Sequence, residues 1–251
     1  ASFFLYMRQK NLGKPDRAFL ETTIARLTQN FNWWVNRKDP EGRSLFSGGF
    51  LGLDNIGVFD RSAPLPTGGY LLQADGTAWM AFYSHCMIQI ALELSEEEPS
   101  TYGRVVSKFV EHFFWIAGAM HRKGDQVDDL WDEDDGFFYD VLVTPDGRAQ
   151  RIKLRSMVGL LPLMASTVFP ESSLRDLPKA VERIRSFQQR YPELHENIHP
   201  FEKPGVAGRH LLSVLNETKL RRILSRTLDE REFLSPYGIR SLSKAHESQP
   251  Y

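Results

Sequence analysis

Apolar residues recur at helical spacing through most of the chain, and that limits its fold more than any other feature. Between residues 16 and 37, Phe19, Leu20, Ile24, Leu27, Phe31, Trp34 and Val35 recur at helical spacing. Pro15-Asp16 supplies its start and Asp39-Pro40 its stop. Asp75-Gly-Thr reads as the N-cap signal of a helix through Leu94, and Ser100-Thr opens another that runs to about Met120. Helical patterns return at 156–168, 172–190 and 217–229, the last behind Asn216. Between Phe137 and Lys153 the period changes. Phe-Phe-Tyr-Asp-Val-Leu-Val, Pro145-Asp-Gly147 and Arg-Ile-Lys-Leu predict a strand–turn–strand hairpin. About six helices, one hairpin and no strand–helix alternation predict a mainly α protein.

Between the first two long helices lies a stretch with another character. Glu41 to Ala74 holds seven glycines and two prolines, and a loop of that length in a compact domain is usually functional or disordered. Its aromatic and aliphatic content argues against disorder. At its centre, Ser47-Gly-Gly-Phe-Leu-Gly-Leu-Asp-Asn-Ile-Gly-Val-Phe-Asp-Arg-Ser62 sets two carboxylates, Asp54 and Asp60, six residues apart among aromatic residues. A sugar has apolar ring faces and hydroxyl edges, which aromatic and acidic side chains suit. Glycosidic cleavage needs a carboxylic acid beside the bond and a partner carboxyl on the other side.

This loop resembles the general-acid segment of glycoside hydrolase family 63, in its large microbial glucosidase-like branch. Four other segments resemble the same branch: Gln73-Ala-Asp-Gly-Thr-Ala-Trp-Met80, Leu130-Trp-Asp-Glu-Asp-Asp-Gly-Phe-Phe-Tyr-Asp140, Lys153-Leu-Arg-Ser-Met-Val-Gly159 and Phe233-Leu-Ser-Pro-Tyr-Gly-Ile-Arg240. The resemblance implies a partial (α/α)6 toroid with one inserted β-hairpin. Residues 1–251 would form a single segment of that catalytic domain, truncated on the C-terminal side and possibly on the N-terminal side. It implies inverting hydrolysis of α-glycosidic bonds in an oligosaccharide or small α-glycoside, without cofactor or metal.

Asp54, in the Gly-Leu-Asp-Asn core, would be the general acid, kept protonated in a partly apolar pocket beside Phe50 or Phe59. Asn55, Asp60, Arg61, Trp131, Asp132, Tyr139 and Asp140 are the further candidates for sugar contact. Asp60 reads alternatively as a structural ion pair with Arg61, and Trp131 and Asp132 as scaffold. Gln73, Asp75 and Trp79 are weaker candidates, since an N-cap role accounts for Asp75. The family's second catalytic residue, a glutamate, follows a Trp-Arg-Gly-Pro-Ile-Trp-like segment, and neither occurs before Tyr251. The base is therefore expected beyond Tyr251. The alternative is a catalytically incomplete carbohydrate-binding or scaffold fragment.

Three other motifs have plainer readings. Asp128-Asp-Leu-Trp-Asp132 matches a magnesium–diphosphate string but has no second acidic motif to face it. The calcium-loop spacing fails, because positions one and twelve would be Trp131 and Leu142. His195-Glu-Asn-Ile-His199 matches a zinc-peptidase signature, yet Pro192 and Pro200 confine any helix there to barely two turns. His85 and His112 read as core histidines, and the basic run Lys219–Arg226 as the wet face of an amphipathic helix.

A net charge of −1 gives no general attraction to nucleic acid, and no apolar run approaches the roughly 20 residues of a membrane span. The N-terminus reads as a helix entered midway and not as a signal peptide. A single cysteine, Cys86, forbids an internal disulfide and favours a reducing, cytoplasmic setting. Helix faces left bare by a truncated toroid would promote self-association.

Overall fold

The computed structural model of the chain describes residues 1–47, 51–121, 129–194, 198–201, 203–248 and 250. Among these, α1 (Ser2–Asn11) and α2 (Arg17–Val35) lead into β1 (Tyr70–Leu72), α3 (Ala74–Ser95) and α4 (Pro99–Met120). Then follow β2 (Trp131–Asp132), β3 (Phe137–Phe138), β4 (Asp140–Val143) and β5 (Ala149–Ile152). A 3-10 segment (Met157–Met164), β6 (Ser166–Phe169), α5 (Glu171–Arg175) and α6 (Pro178–Arg190) come next. The chain continues through β7 (His210–Ser213), α7 (Glu217–Thr227), β8 (Leu234–Ser235) and β9 (Gly238–Ile239). The fold is mainly helical.

Local chemistry sets the helix starts. The Asp16 carboxylate accepts from the Phe19 amide at 2.9 Å, and Asn216 accepts from the Lys219 amide at the same distance. Pro99 and Pro178 open α4 and α6, where a missing N–H costs nothing. The 172–190 pattern is two helices and not one, because Pro178 cannot donate within a continuous helix.

Helix α3 is the centre of the molecule. Sixteen of its 22 residues are buried, on every face, so it is a core helix and not an amphipathic surface one. It packs against α2, α4 and the 3-10 segment. The three-residue connection to α4 makes those two antiparallel neighbours. Phe31 of α2 meets Tyr83 of α3 and Phe109 of α4 edge-on, joining the three helices. His85 is buried in this core and His112 half-buried beside Phe31 and Phe109: burial lowers the pKa of each, to about 3 and about 4.

The strands go beyond the single expected hairpin. β4 pairs with β5 in the predicted place, but β1 joins on its other edge, giving the order β1-β4-β5. Gly69 permits this: a Cβ there would lie 2.0 Å from the Val143 carbonyl oxygen. β2–β3, β6–β7 and β8–β9 form three further antiparallel pairs. The 156–168 pattern is a 3-10 segment and a strand instead of an α-helix. Gly159 sits so close to Phe137 and Phe138 that a side chain would strike both, and Pro162 interrupts the helical bonding.

The run Lys219–Arg226 is a wet face only in part: Arg221 is exposed, but its three other basic residues turn inward or across to the strands. Lys219 is buried, its Nζ 2.8 Å from His121 Nδ1, while Arg222 and Arg226 donate to carbonyls of residues 133–135. No helix among the described residues is long and apolar enough to cross a membrane.

Candidate functional site

The loop bearing Asp54 is organised by its neighbour Arg61. The Arg61 amide donates to the Asp54 carbonyl at 2.9 Å, and its Nη1 donates to the Leu53 carbonyl at 3.0 Å. The guanidinium lies between two buried aspartates. Nη1 and Nη2 form a two-point fork with Asp75 at 2.9 and 2.5 Å, and Nε donates to Asp140 Oδ2 at 2.7 Å. Asp140 Oδ1 also accepts from the Ala74 amide, and Asp75 Oδ1 from the Gly76 amide, both at the positive end of α3. Gln73 Nε2 donates to the Arg61 carbonyl at 2.9 Å. Three chain segments thus meet at one arginine.

The electrostatics follow from that stoichiometry. Burial opposes the charge of Arg61, but the bonds to Asp75 and the charge of Asp140 outweigh it and raise its pKa. For Asp140, burial raises the pKa, the Arg61 charge pulls it back and the Asp75 charge adds to the rise. The result is a pKa of about 6. Two carboxylates share one cation, and burial decides.

Asp54 itself is half-buried, and among the described residues its carboxyl makes no hydrogen bond or ion pair. Asn55 is exposed and Phe59 half-buried; Phe50 lies outside the described residues. Beneath the loop, Ile56, Gly57 and Phe59 close over Leu71, Phe138 and Leu154. The cavity they enclose has a volume of about 20 Å³, room for one water.

Asp60 is not the partner of Arg61. It is exposed and accepts from the Ser62 amide and hydroxyl at 2.9 and 2.6 Å, which lowers its pKa. Nor is Trp131 an open sugar platform. It is 1 % exposed, packed edge-on against Phe138, with Lys219 Nζ 5.0 Å from its ring centre. Asp132 is buried and paired with Lys153 Nζ at 2.9 Å. Tyr139 is buried as well; its hydroxyl donates to Asp135 at 3.0 Å and accepts from Arg155 at 3.3 Å. Asp140 and Arg61 are brought to the Asp54 loop, but as its anchor, below the surface.

Asp75 is not the N-cap that its Asp-Gly-Thr context predicts. The N-cap of α3 is Gln73, and Asp75 stands inside the first turn, wholly buried against Arg61. A carboxylate two residues past the cap, in an otherwise apolar helix, was the available signal. The segment after Arg240 reaches the wall of the cavity under the loop. Ser241 accepts from the Met157 amide and Leu242 pairs with Ser156, which lines the small cavity.

The competing motifs lose their free groups. Asp129 pairs with Arg151, and Asp128 and His195 to Asn197 lie outside the described residues. Among the described residues no group of three His, Cys, Asp or Glu is placed to hold a metal ion.

Fold and site together define a mainly helical protein with small antiparallel sheets and an acid-bearing loop pinned by a buried arginine. The chain is 47 % identical over 264 aligned residues to a Saccharomyces cerevisiae protein named Uncharacterized protein YMR196W. The match takes in all of this chain but 24 % of that protein, so the chain spans about a quarter of the length of the curated relative. No family model matches it.

Proposed function

We propose that the chain is part of an inverting α-glycosidase of the family 63 type, with Asp54 as general acid, built on a segment of an (α/α)6 toroid. The observation that carries this reading is the state of the carboxylates around the loop. Asp60, Asp75 and Asp140 are each held by named donors, while Asp54 has no partner among the described residues. A carboxyl left free on a fixed backbone is what protonation of a leaving oxygen requires. The convergence of three of the resembling segments adds support: Gln73 and Asp75, Asp140 and Ser156 reach the Asp54 loop or line the cavity under it. The exposed Phe4 and Leu5 of α1, with Leu12 just after it, mark a surface where further helices, or a second copy, would pack. The glutamate base belongs to chain beyond Tyr251, the substrate is an oligosaccharide or small α-glycoside, and the compartment is the cytoplasm.

The test is hydrolysis of α-glucosides by the full-length natural polypeptide, followed by proton NMR. Expected is initial release of the β-anomer, and a fall in kcat of about 10² or more for Asp54→Asn. Unchanged turnover in that variant, or initial release of the α-anomer, sinks the assignment.

The size of the cavity favours a second reading for the 251 residues taken alone. A space of about 20 Å³ is far below the roughly 300 Å³ of a small-molecule pocket, and on this second reading the isolated chain is scaffold. Saturable sugar affinity without turnover in the full-length polypeptide would extend that reading to the whole protein.

A further inference from the structure

Residues 51–60 carry Asp54 over the small cavity, yet their polar attachment is narrow. Among the described residues, every hydrogen bond from 51–63 to the rest of the molecule runs through Arg61: its side chain to Asp75 and Asp140, and its carbonyl from Gln73. Within the loop, Arg61 takes hold of both Leu53 and Asp54 by their carbonyls. All five guanidinium donors are engaged, with Nη2 also reaching Asp140 Oδ1 at 3.4 Å. What remains is apolar contact, chiefly Ile56, Gly57 and Phe59 against Leu71, Phe138 and Leu154.

We infer that Arg61 is the positioning residue for Asp54, a single side chain that fixes the acid-bearing loop to α3 and β4. The inference rests on the reading of Asp54 as the acid only for its catalytic consequence; the mechanical part stands on the bonds alone. A lysine cannot substitute. It keeps the charge but offers three donors from one point, and cannot reach two carboxylates and a carbonyl in one plane. Gly57 passes so close to Leu154 that apolar contact restrains the middle of the loop, and Arg61 restrains the end that holds Asp54.

The experiment is residue-resolved amide hydrogen exchange on this chain as wild type and Arg61→Lys. Expected is exchange at least tenfold faster at positions 61 to 63, with Phe109 to Ala117 of α4 changed less than twofold. Equal factors in loop and α4, or an unchanged loop, would overturn the inference, because Arg61 would then serve only global stability. Should Arg61→Lys fail to fold, Asp75→Asn removes the two-point fork and leaves one buried pair with Asp140. It should speed the loop at least threefold against α4, and equal factors overturn the inference here too. In the full-length polypeptide Arg61→Lys should lower kcat about a hundredfold with KM within threefold. Exchange reads the loop whether or not sugar is cleaved, so failure of the glycosidase reading and failure of the tether are told apart.

Discussion

Replacing Asp140 by asparagine should shift stability relative to wild type in the variant's favour as pH rises, although it removes half of an ion pair. Burial drives the pKa of Asp140 up, the Arg61 charge opposes this, and the Asp75 charge adds to it, leaving about 6 against an ordinary 3.8. Arg61, Asp75 and the Ala74 amide are the groups that set this value. Since the folded-state pKa is the higher one, proton uptake favours the fold. That contribution is fully present below pH 3.8 and is lost as pH rises through 6. A gap of about two units corresponds to about 3 kcal/mol between the two limits. Asparagine has no proton to lose and keeps an acceptor for the Ala74 amide. The stability of the variant minus that of wild type should therefore rise by about 2.4 kcal/mol between pH 4 and pH 8. In a chain of this size that is about 5–10 °C in melting temperature. Paired thermal melts across that range measure it, and effects common to both proteins cancel. A difference that stays flat with pH, or a wild type that gains with rising pH, would refute the reasoning. Either would mean that Arg61 outweighs burial.

Two further outcomes test the packing and the helix ends. Gly159→Ala sets a methyl 2.3 Å from both the Phe137 ring and the Phe138 carbonyl oxygen, and should cost about 1–3 kcal/mol in a urea melt; an unchanged midpoint would show that the 3-10 segment moves aside freely. Asn216→Ala removes the acceptor for the Lys219 amide and should cost about 1 kcal/mol by the same measurement, while a fully retained midpoint would remove the cap from the account of α7.

Helix positions were legible because they depend on local signals. Asp16 and Asn216 cap as their sequence context predicts, and the apolar face of α2 buries Leu20, Ile24 and Phe31. The failures came where distant residues decide. At 156–168 a helical pattern is overruled by Gly159 pressed against β3, and β6 finds its partner more than 40 residues later in β7. Lys219 looked like solvent-facing charge because nothing nearby in sequence announces that His121 and Trp131 will lie over it. Asp54 and Arg61 stood out in the loop, but the choice of Asp75 and Asp140 over adjacent Asp60 as partners did not. That choice depends on the start of α3 meeting the start of β4, a contact of long sequence separation that no local pattern encodes.

The carboxylates gathered here bear on where a catalytic base can be. Inversion calls for a second carboxyl roughly 6.5–9.5 Å from the acid, with a water between it and the sugar. Asp75 and Asp140 have committed their oxygens to Arg61 and to the amides at the start of α3, and both lie below the surface. Releasing either to activate water would leave the guanidinium short of a partner in a buried site, a cost of several kcal/mol on the order of a broken internal ion pair. Asp60 faces solvent and takes both Ser62 donors on one oxygen. On the proposed reading, then, the abundance of aspartates around the loop is not a reserve of catalytic groups. Two of them fix an arginine, the arginine fixes one acid, and the base must arrive on a different part of the polypeptide.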